Sequence, residues 1–500
     1  MSSAINGSAA WREPVVADQR RRDPADAFAA GERNHHVSNT AYPIAHGATW
    51  KPYRCAREDH AAVVCRAFAG IVDLCLYAHI PFCEVRCAYC EYTVVGRSEL
   101  SQTAAYMRLL NAELAMYREL LGTNQRTVHG FDIGGGTPSF VEAESVAELV
   151  ENARDAFHFA PGAGISIETT PRIAAAQPAK LEAYVRAGIH RISMGIQVIQ
   201  PDLLRVLNRD GNGVEHHHRA AEHIRRAGFR HFNVDLMYGF AGQSLASWHA
   251  TLQHAIALAP EAITLYRMRY KLTRISDQAP RVTLDAVRAQ ARLAKQVLAA
   301  AGYAANPGKN TWSRVEGHNG TSDYITRRVV EGMPYLGLGL GAQTFTHTTI
   351  SYNDGAAGKT IEPYGRSLEL GRLPIQDLYG LPRTHMMAKM ICVSFYFGEV
   401  DRAAFARKFG AQIEDVYPHE VKFALRRGLM RFTERALSLT EAGAEHFPGV
   451  VALFHAPSVQ DYLSARDPDT ATDMHRNRQF AEAVALHRNQ ATPATMEVRP

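Results

Sequence analysis

Apolar and polar positions repeat one rhythm through the middle of the chain. The run Ile71–Tyr77 predicts a strand, and Leu100–Leu121 sets Tyr106, Leu109, Leu110, Leu114, Met116 and Leu120 at helical spacing. The pair recurs as strand Val128–Ile133 with helix Val141–Phe157, strand Gly164–Glu168 with helix Ala179–Ala187, and strand Arg191–Met194 with helix Val214–Ala227. Strand Phe232–Asp235 with helix Leu245–Leu258, and strand Ala262–Tyr266 with helix Asp285–Ala301, complete six units. Gly188, Gly228 and Gly302 follow three of these helices, where a left-handed residue ends a helix at small cost. Strands alternating with helices imply parallel βαβ units, arranged as an open doubly wound sheet or an incomplete barrel.

Residues suited to chemistry sit at or just after successive strands: Cys83–Cys90, Gly134–Gly136, Glu168, Gln197 and Asp235. An open sheet concentrates its ligand at one switch point, so contributions from five strands favour the barrel. The expected fold is α/β, a partial (βα)6 barrel over 66–305, with an irregular N-terminal arm at 1–65. A barrel extension and connection follows at 306–385, holding the polar stretch Asn306–Arg328 and the small-residue strand or turn Tyr335–Ala342. A small, mostly helical domain of winged-helix character is expected at 386–463, and a polar, poorly ordered tail at 464–500.

Composition narrows the partners. The 500 residues are 46% hydrophobic and 21% charged, and 55 Lys+Arg against 50 Asp+Glu leave a net charge of +5. That makes no case for a nucleic-acid partner, which needs a concentrated basic face. No window approaches the ~18 apolar residues of a membrane span. The first residues lack an apolar signal region, and Arg20-Arg21-Arg22 precedes no apolar run. Seven cysteines, three of them clustered, argue against a disulfide framework and for a reducing, cytoplasmic setting.

Cys83, Cys87 and Cys90 stand at C-x3-C-x2-C spacing. Structural zinc favours paired C-x2-C knuckles, and no second pair exists. A [4Fe–4S] cluster needs four iron ligands, so three thiolates leave one iron open to substrate or cofactor. Gly134-Gly135-Gly136-Thr137-Pro138 is a glycine turn able to cradle an anion or an amine, without the Lys-Ser/Thr ending of a P-loop. The other four cysteines read as buried small hydrophobes. His216-His217-His218 points in three directions on a helix and reads as a solvated start rather than a metal site. His79 lies near the mouth, where a structural and a chemical role remain equally open.

Seven blocks in order carry a resemblance: Tyr77-Ala-His79-Ile-Pro-Phe-Cys83 with Cys87, Tyr89 and Cys90; Gly134–Ser139; Ile167–Pro171; Arg191–Gln197; Asn208-Arg209; Asn233–Gly239; and Gly337–Ala342. Over about 70–450 the chain resembles the radical SAM enzymes of the oxygen-independent coproporphyrinogen III oxidase (HemN-like) group. The resemblance implies a [4Fe–4S] cluster on Cys83, Cys87 and Cys90, with S-adenosylmethionine (SAM) chelated on its open iron. It implies contacts to this SAM from Tyr77, Gly135 and Glu168, with Gln343 nearby. A second SAM would be held by Tyr89, Gly136, Thr137, Gln197, Arg209 and Asp235. A small-molecule substrate and a reductant such as flavodoxin or ferredoxin are further implied.

Within the group, two departures steer the reading. Glu91 and Tyr92 stand where coproporphyrinogen oxidases have Gly-Cys, and His318-Asn319 lacks the Tyr-Trp of the haem-chaperone branch. With Gly339–Gln343 and Tyr352-Asn353, these make the chain resemble most the class C radical SAM methyltransferases and cyclopropanases of natural-product biosynthesis. The expected activity is transfer of a SAM-derived one-carbon unit to an sp2 carbon, in some cases beside a partner methyltransferase. Tyr92, Glu91 and Arg269 are the candidate acid–base residues. Tetrapyrrole chemistry (porphyrinogen oxidation or haem modification) and haem carriage are the alternatives.

Overall fold

The computed structural model describes residues 21–38, 42–122, 126–270 and 273–466, and within it the six predicted strands form one parallel sheet. They are β1 (Asp73–Ile80), β2 (Thr127–Gly135), β3 (His158–Thr169), β4 (Arg191–Gln197), β5 (His231–Tyr238) and β6 (Ala262–Arg267). Four more strands extend the β1 edge: β8 (Tyr335–Leu338), parallel to β1, then β9 (Gln343–Phe345), β10 (Thr349–Asn353) and β11 (Ile375–Gly380), which are antiparallel. On the other side β7 (Thr311–Ser313) pairs antiparallel with β6. The order β11-β10-β9-β8-β1-β2-β3-β4-β5-β6-β7 is linear, so the barrel stays open between β7 and β11.

Alternation along each strand sets what the two faces carry. Ile165 and Ile167 of β3, Ile192 and Met194 of β4, Val234 and Leu236 of β5, and Ile263 of β6 are fully buried in one core with the surrounding helices. The intervening residues are Ser166 and Glu168, Arg191 and Ser193, Asn233 and Asp235, and Thr264 and Tyr266, and all of them line the barrel interior. A polar inner face on a parallel barrel leaves room for ligand where packed barrels have apolar layers.

The N-terminal segment is more regular than its sequence suggests. Pro24–Arg33 is a helix capped by Asp23, whose carboxylate accepts from Ala25 N at 2.8 Å. Its buried side is only Ala27, Ala30 and Gly31, too small to give a periodic signal. The helix is held by the C-terminal helix Phe447–Leu453, so closely that a Cβ on Gly31 would fall 2.2 Å from Pro448 O. Trp50, fully buried, and Tyr42 join the same C-terminal core. That helical region carries a small antiparallel sheet, with Ala436–Leu439 between Glu399–Asp401 and Met430–Phe432. The tail beyond residue 466 and the Arg20 end of the basic run lie outside the described residues.

Two smaller expectations also change. His217 of the histidine triplet is fully buried, bonded to His254 at 2.8 Å and to Asn212 O at 3.2 Å, while its neighbours face outward. Of the four scattered cysteines, Cys75 and Cys392 are buried, Cys55 is half-buried and Cys65 is exposed.

Candidate active site

The cysteine loop follows β1 and is tied to three other parts of the chain. Ala88 N donates to Leu207 O at 2.9 Å, Asn208 Nδ2 to Arg86 O at 2.9 Å, and Arg274 N to Ala88 O at 2.9 Å. Behind it, Gly136 N donates to Ile80 O at 2.9 Å and Thr137 N to Phe82 O at 2.7 Å. This explains the glycines of the second motif without a phosphate. A Cβ on Gly136 would fall 2.6 Å from Phe82 O, and one on Gly135 (φ 122°) 2.7 Å from the His79 ring. The glycines let β2 reach the cysteine loop.

Cys83, Cys87 and Cys90 line a cavity of about 470 Å3 at the C-terminal mouth of the barrel. Thr137 Oγ1 lies 3.5 Å from Cys83 Sγ, and Arg209 Nη1 donates to Cys87 Sγ at 3.3 Å. Burial pushes the Cys83 thiol up to about 12, so a thiolate there calls for a cationic partner such as iron. Among the described residues no three His, Cys, Asp or Glu side chains converge on a single ion. A cubane does not ask for that, since each cysteine takes a different iron. The sulfurs, the free cavity and the Arg209 guanidinium beside them fit a [4Fe–4S] cluster with one open iron.

The remaining site candidates assemble on the same cavity: Tyr89, Glu91, Tyr92, Gly135, Gly136, Thr137, Glu168, Gln197, Arg209, Asp235 and Arg269. Glu168, deep in the barrel but accessible from the cavity, accepts from Gly135 N at 3.2 Å. Its carboxyl is pushed up to about 8 by desolvation and by the Asp235 charge. Desolvation likewise raises Asp235 to about 6, against the opposing pull of Arg191 and the hydrogen bond from Asn233 Nδ2 at 2.8 Å. Gln197 sits at φ 69° beside a register shift between β4 and β5, and its buried Oε1 has no hydrogen-bond partner. A left-handed, non-glycine residue with an orphan acceptor is a common mark of a ligand site. Arg209, 8% exposed, also donates to Gly195 O. Glu91 and Arg269 form an ion pair with each other, and Tyr92, 57% exposed, stands free in the cavity.

Tyr77 and Gln343 are not on this cavity. They line a second one, of about 1410 Å3, that fills the barrel interior and opens towards the N-terminal segment and β11. Tyr77 OH donates to His79 Nδ1 at 3.1 Å while His79 Nε2 donates to Thr93 O at 2.7 Å, which gives His79 a positioning task and settles its tautomer. The amide of Gln343 is taken up by Tyr335 OH and by Tyr352 OH. The cavities share a wall of Glu91, Tyr92, Gly135, Glu168, Ser193, Asp235, Tyr266, Asn310 and Tyr396. Sequence reading missed Tyr266, Tyr396, Asp132, Arg191 and Arg328. For Arg191 and Tyr266 the signal was present, in the period-two polar positions of β4 and β6.

Residues 77–255 match the radical SAM superfamily. The oxygen-independent coproporphyrinogen III oxidase of Bradyrhizobium diazoefficiens is 30% identical over 335 residues, covering 63% of this chain and 72% of that protein. The chain belongs to the radical SAM superfamily, in the HemN-like group of coproporphyrinogen oxidases and haem chaperones. Members of the superfamily bind a [4Fe–4S] cluster and SAM, and use a reductant and a small-molecule substrate. The haem chaperone HemW of Haemophilus influenzae is 35% identical over 200 residues, 39% of this chain and 51% of the chaperone, so the match spans about half of that relative. Coproporphyrinogen III oxidase (HemN) from Escherichia coli has the same fold, with a TM-score of 0.67 at 21% identity, covering 83% of this chain and 96% of that one.

These relatives overturn the methyltransferase and cyclopropanase expectation, and they give no support to a partner methyltransferase or a natural-product setting. They match the tetrapyrrole alternative. The residues behind that expectation also have a structural task. Asn353 Nδ2 donates to Glu113 at 2.7 Å and to Gly339 O at 2.9 Å, and Gln343 bridges two tyrosines. Gly339–Gln343 and Tyr352-Asn353 hold β8 to β10 together, while Gly341, Gln343 and Tyr352 line the larger cavity. Among the described residues no helix is long and apolar enough to cross a membrane.

Proposed function

We propose that this protein is a radical SAM enzyme that oxidises a tetrapyrrole, in the manner its coproporphyrinogen oxidase relatives' names describe. The relative 30% identical over 72% of its length carries this reading. The second cavity supports it: about 1410 Å3 exceeds the ~300–1,000 Å3 of most small-molecule sites and suits a large macrocyclic substrate. When bound, the cluster and SAM supply one-electron chemistry and hydrogen-atom abstraction.

The protein's own residues do the placing. Cys83, Cys87 and Cys90 would hold the cluster, with Arg209 donating to Cys87 Sγ and balancing thiolate charge. Glu168 and the Gly135 backbone offer acceptors to the SAM ammonium or ribose. Gln197, Asp235 and Tyr89 line the rest of the smaller cavity, which would take a second SAM beside the first. Tyr92, Tyr266 and Tyr396 stand at the shared wall, where the reacting carbon of the tetrapyrrole would meet the cofactor side. Glu91, locked to Arg269, is a positioning residue rather than a free acid. A flavodoxin- or ferredoxin-type reductant would deliver the electron.

The test is anaerobic incubation of the cluster-loaded protein with SAM, reductant and coproporphyrinogen III. Carbon dioxide release with 5′-deoxyadenosine is the expected result, and SAM cleavage that leaves the tetrapyrrole unchanged would refute the reading. The HemW relative favours haem carriage as the second reading, and stoichiometric haem binding without turnover would select it.

A further inference from the structure

The helix Asp323–Val330 plugs the lower end of the barrel. It lies against Gly130 of β2, where a Cβ would fall 2.4 Å from Tyr324 N, and Gly164 N of β3 donates to Asp323 Oδ2 at 2.8 Å. Tyr324 and Arg328 of this helix reach into the larger cavity. Arg328 Nη1 donates to Tyr324 OH at 2.8 Å, and its guanidinium carbon stands 5.3 Å from the Tyr324 ring centroid and 4.9 Å from that of Tyr335. The neighbouring Arg327 pairs with Glu331, whereas no carboxylate among the described residues pairs with Arg328. Among the described residues its Nε and Nη2 have no hydrogen-bond acceptor.

Charged groups of both signs surround it. Asp132 faces this end of the cavity, with Asp323 near it; its Oδ2 accepts from Ser322 at 2.7 Å and, among the described residues, its buried Oδ1 has no partner. Both Arg191 and Arg328 act on it. Behind Tyr335, Lys389 is 5% exposed with its Nζ 5.7 Å from the Phe345 ring, and Lys408 lies 4.8 Å from the same ring. Arg191 is shared among Asp132, Glu168 and Asp235, so Arg328 is left at this end for an anion, with Lys389 and Lys408 behind it, their charge weakened by burial. Aromatic rings on two sides orient the Arg328 plane, and a planar guanidinium with a free edge matches a carboxylate in two-point contact.

We propose that Arg328, held between Tyr324 and Tyr335, takes one carboxylate of the substrate and thereby sets how deep the tetrapyrrole enters the barrel. This rests on the reading that a tetrapyrrole occupies the larger cavity. Anchored at the plug, a carboxylated macrocycle would present its far edge to the wall of Tyr92, Tyr266 and Glu168. Unused acceptors such as Asp132 Oδ1 would face its pyrrole N–H groups.

The test has two arms on the cluster-loaded protein. In the first, coproporphyrin III and its tetramethyl ester are titrated by fluorescence quenching against the wild type, Arg328→Gln and Arg328→Lys. The expected result is at least tenfold weaker binding of the free acid by Arg328→Gln, partial recovery in Arg328→Lys, and no change for the ester. Equal weakening of acid and ester, or no weakening, overturns the proposal. In the second arm, crystals are soaked with 3-bromopropionate and the bromine is located by anomalous scattering. A site at Arg328 that vanishes in Arg328→Gln supports the carboxylate role even if neither porphyrin binds, an outcome that would sink the tetrapyrrole reading alone. No bromine at Arg328 in the wild type overturns the proposal whatever the porphyrins do.

Discussion

The two cavities share a wall but are assembled from the chain in different ways. The smaller one has a floor of strand-end motifs and short loops, fixed by contacts between neighbouring backbones, and is closed over by distant segments such as His35, Arg288 and Pro448. The larger one takes His46, Arg54, Asp132, Arg191, Arg328, Tyr352, Tyr396 and Arg466, residues separated by hundreds of positions, and its shape depends on how distant segments pack. Cofactor chemistry constrains a few adjacent residues tightly, whereas substrate recognition is spread over whichever side chains reach the space. The first kind of site is exposed to single backbone clashes and the second to loss of single side chains.

The largest expected effect comes from removing a thiolate. Cys87→Ala should leave iron content and SAM cleavage at background in reconstituted protein, and retention of a full cluster would break the assignment. Next is Gly136→Ala, whose Cβ would meet Phe82 O at 2.6 Å. Overpacking of this kind costs about 1–3 kcal/mol, and it should reduce cluster loading more than it lowers the unfolding midpoint.

A third prediction concerns Glu113, which is fully buried against the turn after β8 and the end of β10. It accepts from Gly339 N at 2.6 Å, Asn353 Nδ2 at 2.7 Å and Tyr364 OH at 2.7 Å. Burial raises its carboxyl from 4.5 to about 7, despite these hydrogen bonds. The folded state therefore holds a proton that the unfolded chain releases across that window. Its contribution to stability is full below pH 4.5 and falls as pH rises to about 7, by on the order of 3 kcal/mol. Denaturant titrations at pH 5 and pH 8 should show that Glu113→Gln flattens this fall, and an unchanged slope would contradict the assignment. The smallest effect is expected from Lys359→Met. Lys359 Nζ donates to Glu91 O at 3.2 Å and Tyr92 O at 2.9 Å, so its loss should cost about 1 kcal/mol and raise the substrate KM more than it lowers kcat.

The same contrast explains what was legible beforehand. β1 to β6 and their helices were predictable because their buried faces repeat at periods of 2 and 3.6, and the cysteines because their spacing is chemical. β3 extends back to His158 because it pairs with Thr127 and Val128 of β2 across a register shift, a partner invisible in its own sequence. The helix Pro24–Arg33 was read as irregular because its buried side is only Ala27, Ala30 and Gly31, small residues whose packing partner, at Pro448 and Ala452 for Gly31, lies far along the chain. Gly339–Gln343 and Tyr352-Asn353 were read as marks of a reaction because a motif does not reveal that Gln343 pairs with Tyr352, and Asn353 with Gly339, to join β8 to β10. Arg328 was read as part of a polar loop, since nothing in Asn306–Arg328 signals that two tyrosines and an open barrel end wait for it.

The division of labour between the cavities is tested most directly by an anaerobic crystal structure of the reconstituted protein with SAM and coproporphyrin III. The account predicts SAM against Cys83, Cys87 and Cys90 in the smaller cavity, and the macrocycle inside the barrel, with one carboxylate on Arg328 and its opposite edge at Tyr92. A porphyrin bound outside the barrel, or lodged in the cysteine-side cavity in place of SAM, would contradict it.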